Sequence, residues 1–210
     1  MNKHADNLFY ISGIHEFELL CKIHSYLKNG DTLIDIGANA GTSILWLQNH
    51  KLKRNLSFVA FGAMPFNAEI IEKHLVLNPS VDCRVVTIAL GSEQGKIKFS
   101  TAGIRDGSAH AINQIGEKND REIIEADLTT LDHCYHNNKQ PVWAILIDVE
   151  GFGVKVLKGA LNTIEKYSPM IFIEIHNDED KNGVTSILNN LGYALKESIV
   201  DAYTHFVFIK

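Results

Sequence analysis

Within eight residues, Asp35-Ile36-Gly37-Ala38-Asn39-Ala40-Gly41-Thr42, this chain passes from a short apolar segment ending at Ile36 to a helical segment beginning at Ala40. Glycines in such a turn permit a tight reversal and let a ligand approach backbone N–H groups at the helix N-terminus. A turn of this kind at the carboxyl end of a first strand is the usual ligand crevice of an open α/β sheet. The alternative is a plain strand-to-helix turn that binds nothing. The spacing Gly37-x-Asn39-x-Gly41 lacks the G-x-G-x-x-G run of dinucleotide enzymes, which counts against a nicotinamide cofactor.

The rest of the sequence repeats this alternation. Strands are expected at Thr32–Ile36, Ser57–Phe61, Cys83–Leu90, Trp143–Val149 and Met170–Ile175. Helices are expected at Glu16–Leu27, Ala40–Asn49, Asn67–Leu77, from Val154 to Ile164 and at Val184–Leu191. Alternation of this type gives a parallel sheet with helices on both faces. Residues 194–200 and 204–210 read as an antiparallel hairpin, so the sheet should be mostly parallel with one antiparallel strand near its edge. The stretch from about 92 to 142 breaks the rhythm and reads as an insertion over the sheet edge, with strand-like pieces at Lys96–Ser100 and Glu122–Ala126.

Composition limits the function classes. A chain of 210 residues with 45% apolar residues and a net charge of −5 suits one domain, 1–210, with an N-terminal helical segment over about 1–29. The apolar run Trp143–Ile147 is far short of the roughly 20 residues of a membrane span, so no membrane partner is expected. Residues 1–13 lack the apolar stretch of a secretory signal, and Cys21, Cys83 and Cys134 are widely spaced, which points to a reduced, cytoplasmic setting. The acidic balance offers little to nucleic-acid phosphates, so no nucleic-acid partner is expected. Hydrolase and P-loop motifs are absent from the sequence.

Two further groups could carry chemistry. Asp148 and Glu150 follow the apolar run of the fourth strand and would share one side if the strand continued through them. Glu150 could equally cap the next helix or pair with Lys155. Glu174 and His176 end the fifth strand in the same way. If the two strands are neighbours, Asp148, Glu150, Glu174 and His176 converge on a cluster able to do acid–base work or hold a divalent cation. No His-x-x-x-His or Cys/His spacing marks a zinc site, and no metal ligand is assigned.

Taken together, these residues resemble the FkbM type of class I S-adenosylmethionine-dependent methyltransferase. The resemblance covers about residues 30–174. It rests on the Asp35–Gly41 turn; Phe61, Pro65 and Asn67; Ala89-Leu90-Gly91; Leu131-Asp132; Ile147–Gly151; and Val156–Ala160. It implies a Rossmann-like α/β fold with a seven-stranded, mostly parallel sheet whose last strand is antiparallel. It also implies S-adenosylmethionine as cofactor, held by Asp35, Gly37, Ala38, Asn39, Gly41, Thr42, Ala63, Asn67, Ala89, Leu90 and Asp148. Asp148, His176 and Glu174 become the catalytic candidates. The implied reaction is O-methylation of a hydroxyl on a sugar or natural-product small molecule, with a divalent cation as an optional aid. Oligomeric state is left open.

The sequence departs from that pattern in two places. After Phe61, where similar enzymes carry an acid that accepts from the ribose hydroxyls, this chain has Gly62. Two charge-assisted hydrogen bonds are worth roughly 3 kcal/mol, about two orders of magnitude in affinity. Gly153 and Val154 stand where a second acid is often found. The alternatives carried forward are a binding module that kept the fold without catalysis and, behind it, a nicotinamide-dependent dehydrogenase.

Overall fold

The computed structural model describes residues 16–49, 54–101, 110–111, 122–138, 140–200 and 203–210. Helix α1 (Phe17–Tyr26) precedes β1 (Thr32–Ile36), which turns into α2 (Thr42–Asn49); β2 (Ser57–Gly62) then leads into α3 (Pro65–Leu77). Pro65 occupies the first turn of α3, where its missing N–H costs nothing, so the helix begins before the expected Asn67. Strands β3 (Asp82–Thr87), β4 (Ala89–Leu90), β5 (Gly95–Thr101), β6 (His110–Ala111) and β7 (Glu122–Thr129) follow, then α4 (Leu131–Tyr135) and β8 (Ala144–Ile147). The chain continues through α5 (Gly153–Lys158), α6 (Leu161–Tyr167), β9 (Met170–Glu174), α7 (Asp178–Asn190), β10 (Ala194–Val200) and β11 (Thr204–Ile209).

The main sheet has seven strands in the order β10-β11-β9-β8-β1-β2-β3. Strands β3, β2, β1, β8 and β9 are mutually parallel, and β11 runs antiparallel to both β9 and β10. The expected mixed α/β architecture is therefore present, with the last strand set inside the sheet beside β9. All residues of β1 and β8 are buried, as central parallel strands covered on both faces must be. Their side chains alternate between two cores. Ile34, Ile36, Ile145 and Ile147 enter one, and Leu33, Ala144 and Leu146 enter the other.

Two expected elements divide. The single strand foreseen over Cys83–Leu90 splits because Ile88 closes a turn onto Val86, N to O 3.0 Å, and β4 leaves the main sheet. It joins a second sheet of order β4-β7-β5-β6, with β4 parallel and β5 antiparallel to β7. The helix foreseen from Val154 to Ile164 breaks at Gly159-Ala160. A Cβ on Gly159 would stand 1.9 Å from the Gly91 carbonyl oxygen, so the two backbones touch there. Asp132 caps the restarted helix from outside: its carboxylate accepts from the N–H groups of Asn162 (3.0 Å) and Thr163 (2.7 Å). Helix α7 starts earlier than Val184 because the Asn177 side chain accepts from the Asp180 N–H and acids fill the first turn.

The Gly91–Gly159 contact fastens the second sheet to the helical layer. Gly159→Ala should destabilise the chain by about 1–3 kcal/mol or more, since backbone cannot move aside as a side chain can. Urea unfolding measures this; an unchanged midpoint would mean that the two backbones do not meet.

Candidate functional site

The turn after β1 is built from backbone contacts to both neighbouring strands. The N–H groups of Gly37 and Ala38 donate to the Phe61 carbonyl at 2.9 and 3.1 Å, and the Asp148 N–H donates to the Ile36 carbonyl at 2.9 Å. Gly37 has φ +93°, and a Cβ there would lie 1.8 Å from the Asp148 carbonyl oxygen. Glycine is thus required by the close approach of the β1 and β8 ends themselves, whatever binds nearby. Gly41 packs against Ile71 of α3. Asn39 lies in the left-handed region, φ 45°, and its side-chain oxygen accepts from Asn67 at 3.1 Å. That bond joins the loops after β1 and β2.

These loops border a cleft of about 890 Å³, counting the part open to solvent, at the carboxyl ends of the strands. Of the residues expected to hold a cofactor, Gly37, Asn39, Ala63, Asn67, Ala89, Leu90 and Asp148 line it. Asp35, Ala38, Gly41 and Thr42 are not on its surface. Asp35 and Ala38 are buried behind the turn, and Thr42 is an exposed first residue of α2. Ile88, Ile97, Phe99 and Phe152 also line the cleft, and the sequence reading passed over them. The alternation Lys96-Ile97-Lys98-Phe99 was the available signal, because β5 turns both apolar side chains to one side.

Asp35 is 2% exposed and accepts a 2.6 Å hydrogen bond from the Ser43 hydroxyl. Burial pushes its pKa up to about 7; Ser43 opposes the shift, and the negative charges of Asp148 and Glu16 add to it.

The acidic cluster forms, with one correction. Strand β8 ends at Ile147, so Asp148 and Glu150 do not share a strand face. Glu150 sits in a turn with φ 34°. Adjacent β8 and β9, in register Ile147 to Ile173, nevertheless bring the groups close. His176 Nε2 is 3.7 Å from Oε2 of both Glu150 and Glu174. Burial pushes the Glu174 carboxyl far above the usual range, and the hydrogen bond it shares with Asp148 holds its proton further. The sequence reading missed Glu16 and His205. His205 stands opposite Glu174 in the β9–β11 register and reaches Glu16 Oε1 at 3.2 Å. The antiparallel hairpin was legible, but its register was not.

Among the described residues, the set of ligand atoms close enough to share a cation comes from Glu16, Glu174 and His205. The expected quartet of Asp148, Glu150, Glu174 and His176 does not supply one. No helix among the described residues is long and apolar enough to cross a membrane.

Residues 35–195 match the methyltransferase FkbM domain. The chain belongs to this family. It is 25% identical over 164 residues to the hexuronic acid methyltransferase AglP of Haloferax volcanii, covering 77% of this chain and 63% of that protein. This chain therefore spans less than two thirds of that relative's length. Among solved structures, the FkbM methyltransferase of Methylobacillus flagellatus KT superposes with TM-score 0.63 at 16% identity, over 88% of this chain and 44% of that one. SMU.1697c of Streptococcus mutans, solved in complex with SAH, gives TM-score 0.54 at 10% identity over 93% and 97%. The structural likenesses establish a shared Rossmann-like fold.

The Asp35 environment has a thermodynamic signature. The unfolded chain releases this proton near pH 3.8 and the folded chain near 7. The contribution is full below about pH 4 and is lost as pH rises through about 7, at up to about 1.4 kcal/mol per pH unit. Asp35→Asn should remove that slope from the pH–stability curve measured by urea unfolding. Parallel curves for the two proteins would place the titration elsewhere.

Proposed function

We propose that this chain binds S-adenosylmethionine in the cleft and transfers its methyl group to a hydroxyl of a sugar or related small molecule. The observation that carries the reading is the cleft's construction: a backbone turn at Gly37, apolar walls from two sheets, and a carboxylate at one end. The family supports the methyl transfer, and the name of the Haloferax relative supports a sugar acceptor.

The residues present fit such a cofactor. Ile88, Leu90, Ile97 and Phe99 offer apolar surface to a planar base, and Asn39 and Asn67 offer amides to its polar parts. When bound, the cofactor supplies a methyl group on a positively charged sulfur. Asp148 and Glu150 line the cleft, and Glu174 is hydrogen-bonded to Asp148. Asp148 is the group assigned to receive the acceptor's proton, and Glu174 orients its carboxylate through their shared hydrogen bond. His176, close to Glu150 and Glu174, is assigned to orient the acceptor. The chain's contribution is mainly to hold the two reactants in line.

Gly62 favours the second reading, a binding module without turnover. It lines the cleft and carries no ribose-facing acid, and a Cβ there would meet nothing within 4 Å. Calorimetry with S-adenosylmethionine, its demethylated product and NAD tests both readings at once. The first two should bind and NAD should not; binding of none of them, or of NAD alone, removes the cofactor assignment.

Because the space beside Gly62 is open, Gly62→Glu should tighten cofactor binding by up to about 3 kcal/mol. A loss of affinity would mean that the ribose is held in another way. Asp148→Asn should leave affinity nearly unchanged while lowering turnover roughly 10²–10⁴-fold. Wild-type turnover in that variant would leave positioning alone to account for catalysis, and no turnover in either protein with intact cofactor binding would favour the binding module.

A further inference from the structure

Beside the cleft lies a cluster that the proposed reaction uses only in part. Glu16 precedes α1, Glu174 ends β9 and His205 is the second residue of β11. One ligand atom from each lies within 4.8 Å of the others. The His205 side chain is fully buried, and neither of its ring nitrogens has a hydrogen-bond partner among the described residues. Its Nε2 comes within 3.2 Å of Glu16 Oε1, close enough for an ion pair but out of line for an N–H···O bond. Buried polar atoms left in this state are costly, and native structures rarely keep them without a ligand or water.

The surroundings point to a cation. Glu174 has a side chain only 3% exposed, and Glu16 only 18%. One imidazole faces two carboxyl groups, and Asp148 is hydrogen-bonded to Glu174. Two ligands each about 2.1 Å from a shared ion can stand at most about 4.2 Å apart. Around a tetrahedral ion such ligands stand roughly 3.4 Å apart; Glu16 and His205 already approach to 3.2 Å, and no pair exceeds 4.8 Å, so the longest gap closes by at most about 1.4 Å.

We propose that Glu16, Glu174 and His205 form a binding site for a divalent first-row transition cation. An imidazole with two carboxylates suits manganese, iron or zinc better than magnesium or calcium, which favour oxygen-only sets. The ion ties the segment before α1 to the ends of β9 and β11, next to the carboxylate that closes the cleft. The site does not rest on the cofactor reading, since none of its three residues lines the cleft.

The test uses the full chain, stripped of metal with a chelator and dialysed against Mn²⁺, which thiols bind weakly. Wild type should take up one equivalent and melt at a higher temperature with the ion than without it. Loss of an outer-shell partner alone costs 10–100-fold in metal affinity, so Glu16→Gln or His205→Gln should weaken binding by at least about tenfold and abolish the melting shift. Circular dichroism checks that each variant folds. Glu16→Gln, at the less buried position, decides the matter if His205→Gln does not. No uptake by wild type at micromolar free Mn²⁺, or equal uptake by wild type and Glu16→Gln, overturns the site. Neither outcome bears on S-adenosylmethionine binding, which calorimetry reads separately.

Discussion

The approach of Gly37 to the Asp148 carbonyl fixes the centre of this molecule. Strands β1 and β8 lie side by side in register, and where they end their backbones close to a distance that excludes any Cβ. The amides of Gly37 and Ala38 are bound to β2 in the same few residues, so three strand ends are locked together. A turn held this way presents its loops in one arrangement. The Asn39–Asn67 bond and the position of Asp148 at the cleft mouth both depend on it.

Electrostatics at this end of the sheet runs against ordinary burial rules. Asp35 and Glu174 are almost inaccessible, yet neither has a lysine or arginine among its ion pairs in the described residues. Asp35 relies on one hydroxyl, and Glu174 on its neighbour carboxylate. Burial and like charge together keep protons on groups that would be ionised in water. Stability surrendered at a strand end in this way usually marks a site kept for binding or chemistry.

Much of this was legible in the sequence, and the reasons are local. Apolar runs and glycine turns are set by neighbours a few residues apart, so the main strands and the Asp35–Thr42 turn could be read directly. Residues that depend on long-range register could not. His205 sits in an unremarkable alternating strand, and only its pairing opposite Glu174 gives it chemical company. The break at Gly159 was hidden because its cause, Gly91, lies far away in sequence. Ile97 and Phe99 belong to a strand-like piece of the insertion that the sequence does show, but nothing local places its apolar face against the cleft. Gly62 was the reverse case: the sequence exposed the missing acid, and the structure added that the space for one is open.

The placement of β11 between β9 and β10 affects how the chain is made. Strand β10 emerges from the ribosome before β11, yet in the finished sheet its ladder among the described residues is with β11 alone. Until β11 arrives, β9 presents a bare apolar edge and β10 has no ladder partner, the state in which sheets most readily pair with the wrong chain. Thr204–Ile209 therefore acts as a closing seam: assembly of this half of the sheet waits for it, and a nascent chain stalled before it leaves that edge for chaperones to shield.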